Sequence, residues 1–265
     1  MELIRKIYIK AIICLTCIIV SIMLFPFNSE VFAETFEYGD WYCETINENE
    51  VGILGNFNVG TSVAIPEKIN GKTVTKICDD AFNNQSGITS VEIPNSVTYI
   101  GDKAFYCCVS LEDITMSENI KYIGEAAFES CFKLESINLP DGLNTIGASA
   151  FLNCGLKSVI IPDSVNDLGN DVFLGCEDLT DVSIPKDIVS IPYGLFYCCT
   201  SLEKVELPDS ITSIGCEAFY ACTGLTSLIV PENVTSIGIG AFRGCENLVS
   251  ITIPFVGGRD RKSVV

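Results

Sequence analysis

The stretch from 134 to 154 reads LESINLPDGLNTIGASAFLNC, and closely similar stretches recur along most of the chain. The phenylalanine of this unit is Phe151, and its equivalents lie at steps of 22 or 23 residues: Phe82, Phe105, Phe128, Phe173, Phe196, Phe219 and Phe242. The shared pattern is L-x-x-[VI]-x-[ILV]-P-x-x-[VIL]-x-x-[IL]-G-x-x-A-F-x-x-C. A fixed period of this length is typical of stacked coils, each of which contacts its neighbours in sequence.

Each unit contains one short segment in which apolar and polar residues alternate, usually ending at a proline. Ile137 to Leu139 is such a segment, as are Val91 to Ile93 and Val205 to Leu207. This alternation predicts a strand that points every second side chain into the core. Because the units share one phase, we expect parallel strands about 4.8 Å apart. A second, briefer extended piece such as Tyr99 to Gly101 should lead into a turn-rich return.

The repeated IP, IG and AF-x-x-C elements resemble the leucine-rich repeat of the BspA-like family of cell-surface proteins. The resemblance covers about residues 62–254 and implies a mainly β solenoid, with about eight coils of parallel-stacked strands and turn-rich returns at 63–254. Residues 34–62 resemble the family's N-terminal cap. They read as a hairpin with strands at Trp41 to Ile46 and Val51 to Leu54. We expect no C-terminal cap in the sequence that follows the last coil.

The first 33 residues have the pattern of a secretory signal peptide. Basic residues precede an apolar run from Ala11 to Phe27, and a small-x-small motif ends at Ala33. We predict cleavage before Glu34; an uncleaved membrane anchor is the alternative. Cleavage removes three basic and two acidic side chains, so the mature chain has 13 positive and 32 negative side chains and a net charge of −19. We therefore expect a secreted or cell-surface protein with no stable membrane insertion and no affinity for nucleic acid.

Residues 255–265 do not continue the repeat, because a basic segment replaces the acidic periodic body. Asp260 to Val265 reads DRKSVV, which is what the bases GATCGGAAGAGCGTCGTG of a common sequencing adapter encode. We hypothesise that the natural coding sequence is truncated near Gly258.

Most of the cysteines follow the repeat. Seven of the 12 mature cysteines stand three residues after a repeat phenylalanine: Cys108, Cys131, Cys154, Cys176, Cys199, Cys222 and Cys245. We expect them to form one buried structural file, because a free cysteine packs as a small apolar residue. Parallel neighbours about 4.8 Å apart are too distant for a regular disulfide. The other five can form a bridge, a mixed disulfide or free thiols: Cys43, Cys78, Cys107, Cys198 and Cys216.

The composition argues against an enzyme. The chain has no histidine, which removes Ser-His and Cys-His nucleophiles and imidazole ligands for zinc. Carboxylates are plentiful, but Asp141, Asp163 and Asp209 recur once per coil after the proline, as turn residues do. We expect no catalytic residues, no metal site and no cofactor.

The outward side chains of the repeated strands form the first candidate binding surface, since solenoids present a broad concave face. They are mostly small or polar, and the candidates that we single out are Glu92, Asp113, Asn138, Asp181, Lys204 and Glu206. The second candidate is an edge of aromatic residues that each follow a repeat phenylalanine: Tyr106, Tyr197 and Tyr220. Both surfaces suit contact with other macromolecules.

The resemblance implies an extracellular interaction module. Such a module adheres to proteins or glycans of a host or of neighbouring cells through many weak contacts. The alternative is a passive spacer within a longer surface protein whose binding or anchoring part lies beyond the C-terminus. The sequence does not distinguish the two hypotheses.

Overall fold

The structure, a computed structural model, describes residues 33–254. These residues form a β-solenoid of about nine turns with parallel-stacked strands, as the repeat predicts. The sequence predicted about eight coils over 63–254, one turn fewer than the structure has. No helix in the described range is long and apolar enough to cross a membrane. The proposed signal peptide, apart from its last residue, and the tail at 255–265 lie outside the described residues.

Three antiparallel strands precede the coils: β1 (Thr35–Tyr38), β2 (Trp41–Thr45) and β3 (Glu50–Asn56). The predicted hairpin corresponds to β2 and β3, and β1 adds a strand that the pattern did not predict. Strand β3 also pairs in parallel with the first coil, so this sheet is continuous with the solenoid. Cys43, Val51 and Ile53 are fully buried and cover the apolar end of the first coil.

Every coil except the one that contains Ile137 contributes a first strand of two or three residues, and the middle side chain of each three-residue strand points inward. These strands are β4 (Ser62–Ala64), β7 (Ser90–Glu92), β9 (Asp113–Thr115), β12 (Ser158–Ile160), β14 (Asp181–Ser183), β16 (Lys204–Val205), β18 (Ser227–Ile229) and β20 (Ser250–Thr252). They lie one residue before the predicted segments, because the residue that precedes the proline no longer belongs to the strand.

The predicted strand at Ile137 to Leu139 is wrong, since the structure has no strand there. Ile137 is buried as expected, but its segment pairs with neither adjacent coil, and the first-strand sheet is divided at this point. The interruption lies directly before the shortened coil, in which Gly155 alone connects Cys154 to Leu156.

A second stack of short strands follows the proline position of each coil, where Ser117 replaces the proline ahead of Tyr122. Its members are β6 (Lys72–Ile77), β8 (Tyr99–Ile100), β10 (Tyr122–Ile123), β11 (Thr145–Ile146), β13 (Asp167–Leu168), β15 (Ser190–Ile191), β17 (Ser213–Ile214) and β19 (Ser236–Ile237), with β5 (Lys68–Ile69) antiparallel to β6. This confirms the extended piece that was predicted at Tyr99. The stack separates between β13 and β15.

The return turns are held by hydrogen bonds between coils. The amide of Phe105 donates to the carbonyl of Ala127 at 2.8 Å, and that of Phe128 donates to Ala150 at 2.8 Å. Several return residues adopt left-handed backbone angles without being glycine, for example Lys103 at φ 56° and Cys107 at φ 55°. Such angles persist where surrounding contacts determine them, and here the neighbouring coil supplies those contacts.

The repeat phenylalanines form the centre of the core. Seven of them are fully buried, and Phe242 is 4% exposed. Consecutive rings lie with centroids 5.2 to 5.9 Å apart, and most pairs are nearly parallel. This offset stacking adds attraction to the burial of apolar area.

The seven predicted cysteines form a hydrogen-bonded ladder. Each thiol donates to the carbonyl of the repeat phenylalanine one coil earlier, as Cys131 does to Phe105 at 3.3 Å and Cys222 does to Phe196 at 3.0 Å. The other members do the same at 3.0 to 3.2 Å. The described cysteines, including the five outside the ladder, are all free thiols.

We predict that Phe151→Ala destabilises the fold by about 3 to 5 kcal/mol, because it leaves a cavity between two stacked coils. Denaturant unfolding at equilibrium measures the loss. Phe57→Ala is the matched control, since Phe57 is 62% exposed, and we expect it to cost less than about 1 kcal/mol. Equal losses for the two variants would contradict the observed packing.

The ladder also predicts a loss of stability in alkaline solution. Burial raises the pKa of the Cys108 and Cys176 thiols to about 12, whereas an unfolded thiol titrates near about 8.5. The contribution of these two thiols to stability is therefore complete below about pH 8.5 and is lost as the pH rises towards about 12, by about 1.4 kcal/mol per pH unit for each of the two.

Unfolding measurements between about pH 8 and 10.5 under reducing conditions test this dependence. Cys108→Ala removes one titrating thiol and should reduce the slope by about 1.4 kcal/mol per pH unit. An unaltered slope in Cys108→Ala would show that the ladder thiols do not titrate as their burial requires.

Candidate functional site

The six strand-face candidates all lie on the solvent side of the first-strand segments. Glu92, Asp113 and Asp181 are exposed on β7, β9 and β14, and Lys204 is exposed on β16. Glu206 follows β16, and Asn138 lies in the interrupted segment; both are exposed. The structure brings Asp181, Lys204 and Glu206 together on neighbouring coils and leaves the other three outside that group.

These three residues line a surface groove that crosses three coils. One part, of about 450 Å³, is lined by Asp181, Val182, Ser183, Ile184, Lys186, Lys204, Glu206, Leu207 and Pro208. The adjoining part, of about 300 Å³, is lined by Lys204, Val205, Glu206, Leu207, Asp209, Ser227, Leu228, Ile229 and Pro231. We call the two parts together the strand-face groove. Ile229, which is 73% exposed, gives it an apolar contact.

Ion pairs organise the charge of the groove. Lys204 pairs with Glu206, and this hydrogen bond lowers the pKa of the Glu206 carboxyl and raises that of the Lys204 ammonium. Asp181 lies opposite Lys204 in the parallel ladder. Lys186 pairs at 2.8 Å with Asp163, whose pKa its hydrogen bond lowers. Because carboxylates outnumber ammonium groups here, the groove favours a partner with positive charge.

The predicted aromatic edge divides into two parts. Tyr197 and Tyr220 stack with ring centroids 4.5 Å apart and an interplanar angle of 9°. Tyr106 lies four coils earlier, where a hydrogen bond with Cys107 raises the pKa of its phenol. The three tyrosines therefore offer one stacked pair and one separate ring rather than a continuous surface.

Sequence reasoning missed a second tyrosine pair on the other strand stack. Tyr99 and Tyr122 are half-buried, with ring centroids 4.5 Å apart and an interplanar angle of 6°. Burial is the main cause that raises the pKa of both phenols. The ammonium of Lys76 lies 5.0 Å from the Tyr99 ring centroid, in cation–π geometry. The signal in the sequence was the repetition of Tyr-Ile-Gly at an interval of one coil.

Ile229 is the second residue of the candidate site that sequence reasoning did not single out. Its side chain is exposed, whereas that of Leu228 beside it points into the core. An isoleucine at an outward strand position, where most coils have a small or polar residue, was the available signal. Among residues 33–254, no three His, Cys, Asp or Glu side chains are grouped so that they could hold a metal ion.

Parallel short strands, a stacked phenylalanine core and a buried cysteine ladder define a leucine-rich repeat solenoid. The family model for the BspA type leucine rich repeat region matches this chain in six copies, over residues 61–180 and 149–256. The chain belongs to this family, which confirms the resemblance found in the sequence.

Solved structures agree with this assignment. A leucine-rich repeat protein from Bacteroides ovatus is 30% identical with a TM-score of 0.70, over 82% of this chain and 64% of that chain. The chain thus spans less than two thirds of that relative. A leucine-rich repeat protein from T. pallidum is 27% identical with a TM-score of 0.64, over 83% of this chain and 90% of that one. A comparison with curated proteins finds no match.

Proposed function

We propose that this chain is a non-enzymatic extracellular interaction module that adheres to a protein or glycan partner through the strand-face groove. Its membership of a leucine-rich repeat family supports a role in macromolecular contact, since solenoids bind through extended repeated surfaces. The signal-peptide pattern at 1–33 supports export to the cell surface or the medium.

The observation that carries the proposal is the combination of charge and apolar surface in the groove. Asp181 and Asp209 have no ion-pair partner among the described residues, and Ile229 extends beside them into solvent. A partner with Lys or Arg next to an aliphatic or aromatic group would satisfy both features. Steering by the acidic surface would speed association and make it dependent on salt.

A binding screen against immobilised matrix proteins and glycans tests the proposal with two matched pairs of variants. Asp181 and Asp113 are both exposed first residues of strands, but Asp181 alone lines the groove. Ile229 and Ile160 are both 73% exposed third residues of strands, and Ile229 alone lines it. Each pair therefore compares the same change inside and outside the groove.

We predict that Asp181→Lys and Ile229→Ser each weaken binding by about tenfold. Asp113→Lys and Ile160→Ser should leave it unchanged. All four side chains are exposed, so the thermal unfolding midpoint should stay constant. Equal losses in both members of a pair would overturn the groove as the site. A complete lack of binding across the screen would favour the alternative, a spacer within a longer surface protein.

A further inference from the structure

The one shortened coil lines a notch on the surface of the solenoid. Cys154 is connected to Leu156 through Gly155 alone, whereas the other ladder cysteines are followed by two residues before the leucine. The notch has a volume of about 370 Å³, and the residues relevant here are Phe132, Asn153, Gly155, Gly175, Glu177 and Asp178. It shares no residue with the strand-face groove, so it is independent of the proposed function.

An aromatic ring lies exposed beside the shortened coil. Phe132 is 55% exposed, whereas the repeat phenylalanines are all buried. A Cβ atom at Gly155 would lie 2.2 Å from the carbonyl oxygen of Phe132, so the backbone of the shortened coil approaches too closely to allow a side chain there. Without a side chain at residue 155, nothing from that position covers the ring.

Three polar side chains line the notch together with this ring, and none of them has a side-chain hydrogen-bond partner among residues 33–254. The backbone carbonyl of Glu177 accepts a hydrogen bond from Thr200, and its carboxylate accepts none within residues 33–254. Neither Glu177 nor Asp178 takes part in an ion pair within the described residues. The side-chain amide of Asn153 packs closely against Gly175. A Cβ atom on residue 175 would lie only 2.0 Å from the Oδ1 atom of Asn153. The notch thus offers carboxylate acceptors and an amide that both donates and accepts.

We propose that the notch binds one sugar ring, either neutral or bearing an amino group. The C–H face of a pyranose would pack on the Phe132 ring, and its hydroxyl groups would donate to Glu177 and Asp178 and bond with the Asn153 amide. The volume lies at the lower end of the range for small-molecule sites, which suits a ligand of one or two rings. The two carboxylates would repel an acidic sugar.

An apolar peptide side chain is the competing occupant, and the polar groups argue against it. Such a side chain would cover the ring but would also remove water from Asn153, Glu177 and Asp178 without replacing the lost hydrogen bonds. Burying polar groups without partners opposes binding. A polyhydroxylated ring supplies both the apolar face and the hydrogen-bond donors.

Saturation-transfer NMR with the complete chain tests this site. The probes are methyl glucoside, methyl galactoside, methyl mannoside, N-acetylglucosamine, glucosamine and glucuronate, each at about 10 mM. We expect transfer to the ring C–H protons of at least one neutral or amino sugar and none to glucuronate. Phe132→Ala should reduce the affinity by about tenfold, and Phe57→Ala, which removes another exposed phenylalanine, should leave it unchanged.

Carboxylate variants test the hydrogen-bonding part of the site. Glu177→Ala should weaken binding, whereas Glu246→Ala should not, although Glu246 is exposed and also directly follows a ladder cysteine. The double variant Glu177→Gln, Asp178→Asn should begin to accept glucuronate. It removes the charge repulsion, and the new amide groups can still form hydrogen bonds with the sugar.

Three results would overturn the proposal. The first is a lack of transfer to every sugar probe at that concentration. The second is an equal loss of binding in Phe132→Ala and Phe57→Ala. The third is transfer to N-acetylphenylalanine amide with none to the sugars, which would make the notch a site for peptide side chains.

Discussion

Every coil relies on its neighbours for hydrogen bonds that it cannot make alone. The amide of Phe105 donates to the next coil, while its carbonyl accepts from Cys108 in its own coil and from the thiol of Cys131. An isolated coil would leave these groups to water and would have no reason to hold left-handed angles at residues such as Lys103. Stability is therefore a property of contacts between coils, and the chain folds as a stack or not at all.

This dependence explains why the same residue types recur in columns. A phenylalanine stacks well only on a flat ring one coil away, and Phe151 has such a ring on both sides. The thiol suits the adjacent column because it is small enough to be buried and still donates to a carbonyl. Serine in its place would bring a stronger donor but a greater cost of losing water. The repeated sequence is thus the direct expression of a repeated contact.

The repeat therefore made the stacking, the strand phase and the cysteine ladder predictable, while features that depend on two or more coils were not. The pattern at Ile137 satisfies every local rule for a strand, yet no strand forms there, since a strand also depends on pairing with the neighbouring coils. Asp181, Lys204 and Glu206 were recognisable as outward residues, but Lys186 and Ile229 joined them only through the geometry of three coils. The stacked pair of Tyr99 and Tyr122 was not predicted, because a residue type that recurs in only two coils gives a weaker sequence signal than a phenylalanine that recurs in eight.

Departures from the repeat are where individual binding properties can arise. A perfectly regular array presents the same side chains on every coil and gives a ligand no reason to prefer one position. The 22-residue step at Phe151 to Phe173 was visible in the sequence, but its consequence depends on atoms that the pattern does not contain, namely the exposed ring of Phe132 beside Gly155. The groove arises in a comparable way, from an isoleucine and two lysines on a face that is otherwise small, polar and acidic. In this solenoid the repeats provide the stacked core, and the exceptions to the repeat provide the surfaces on which the proposed binding depends.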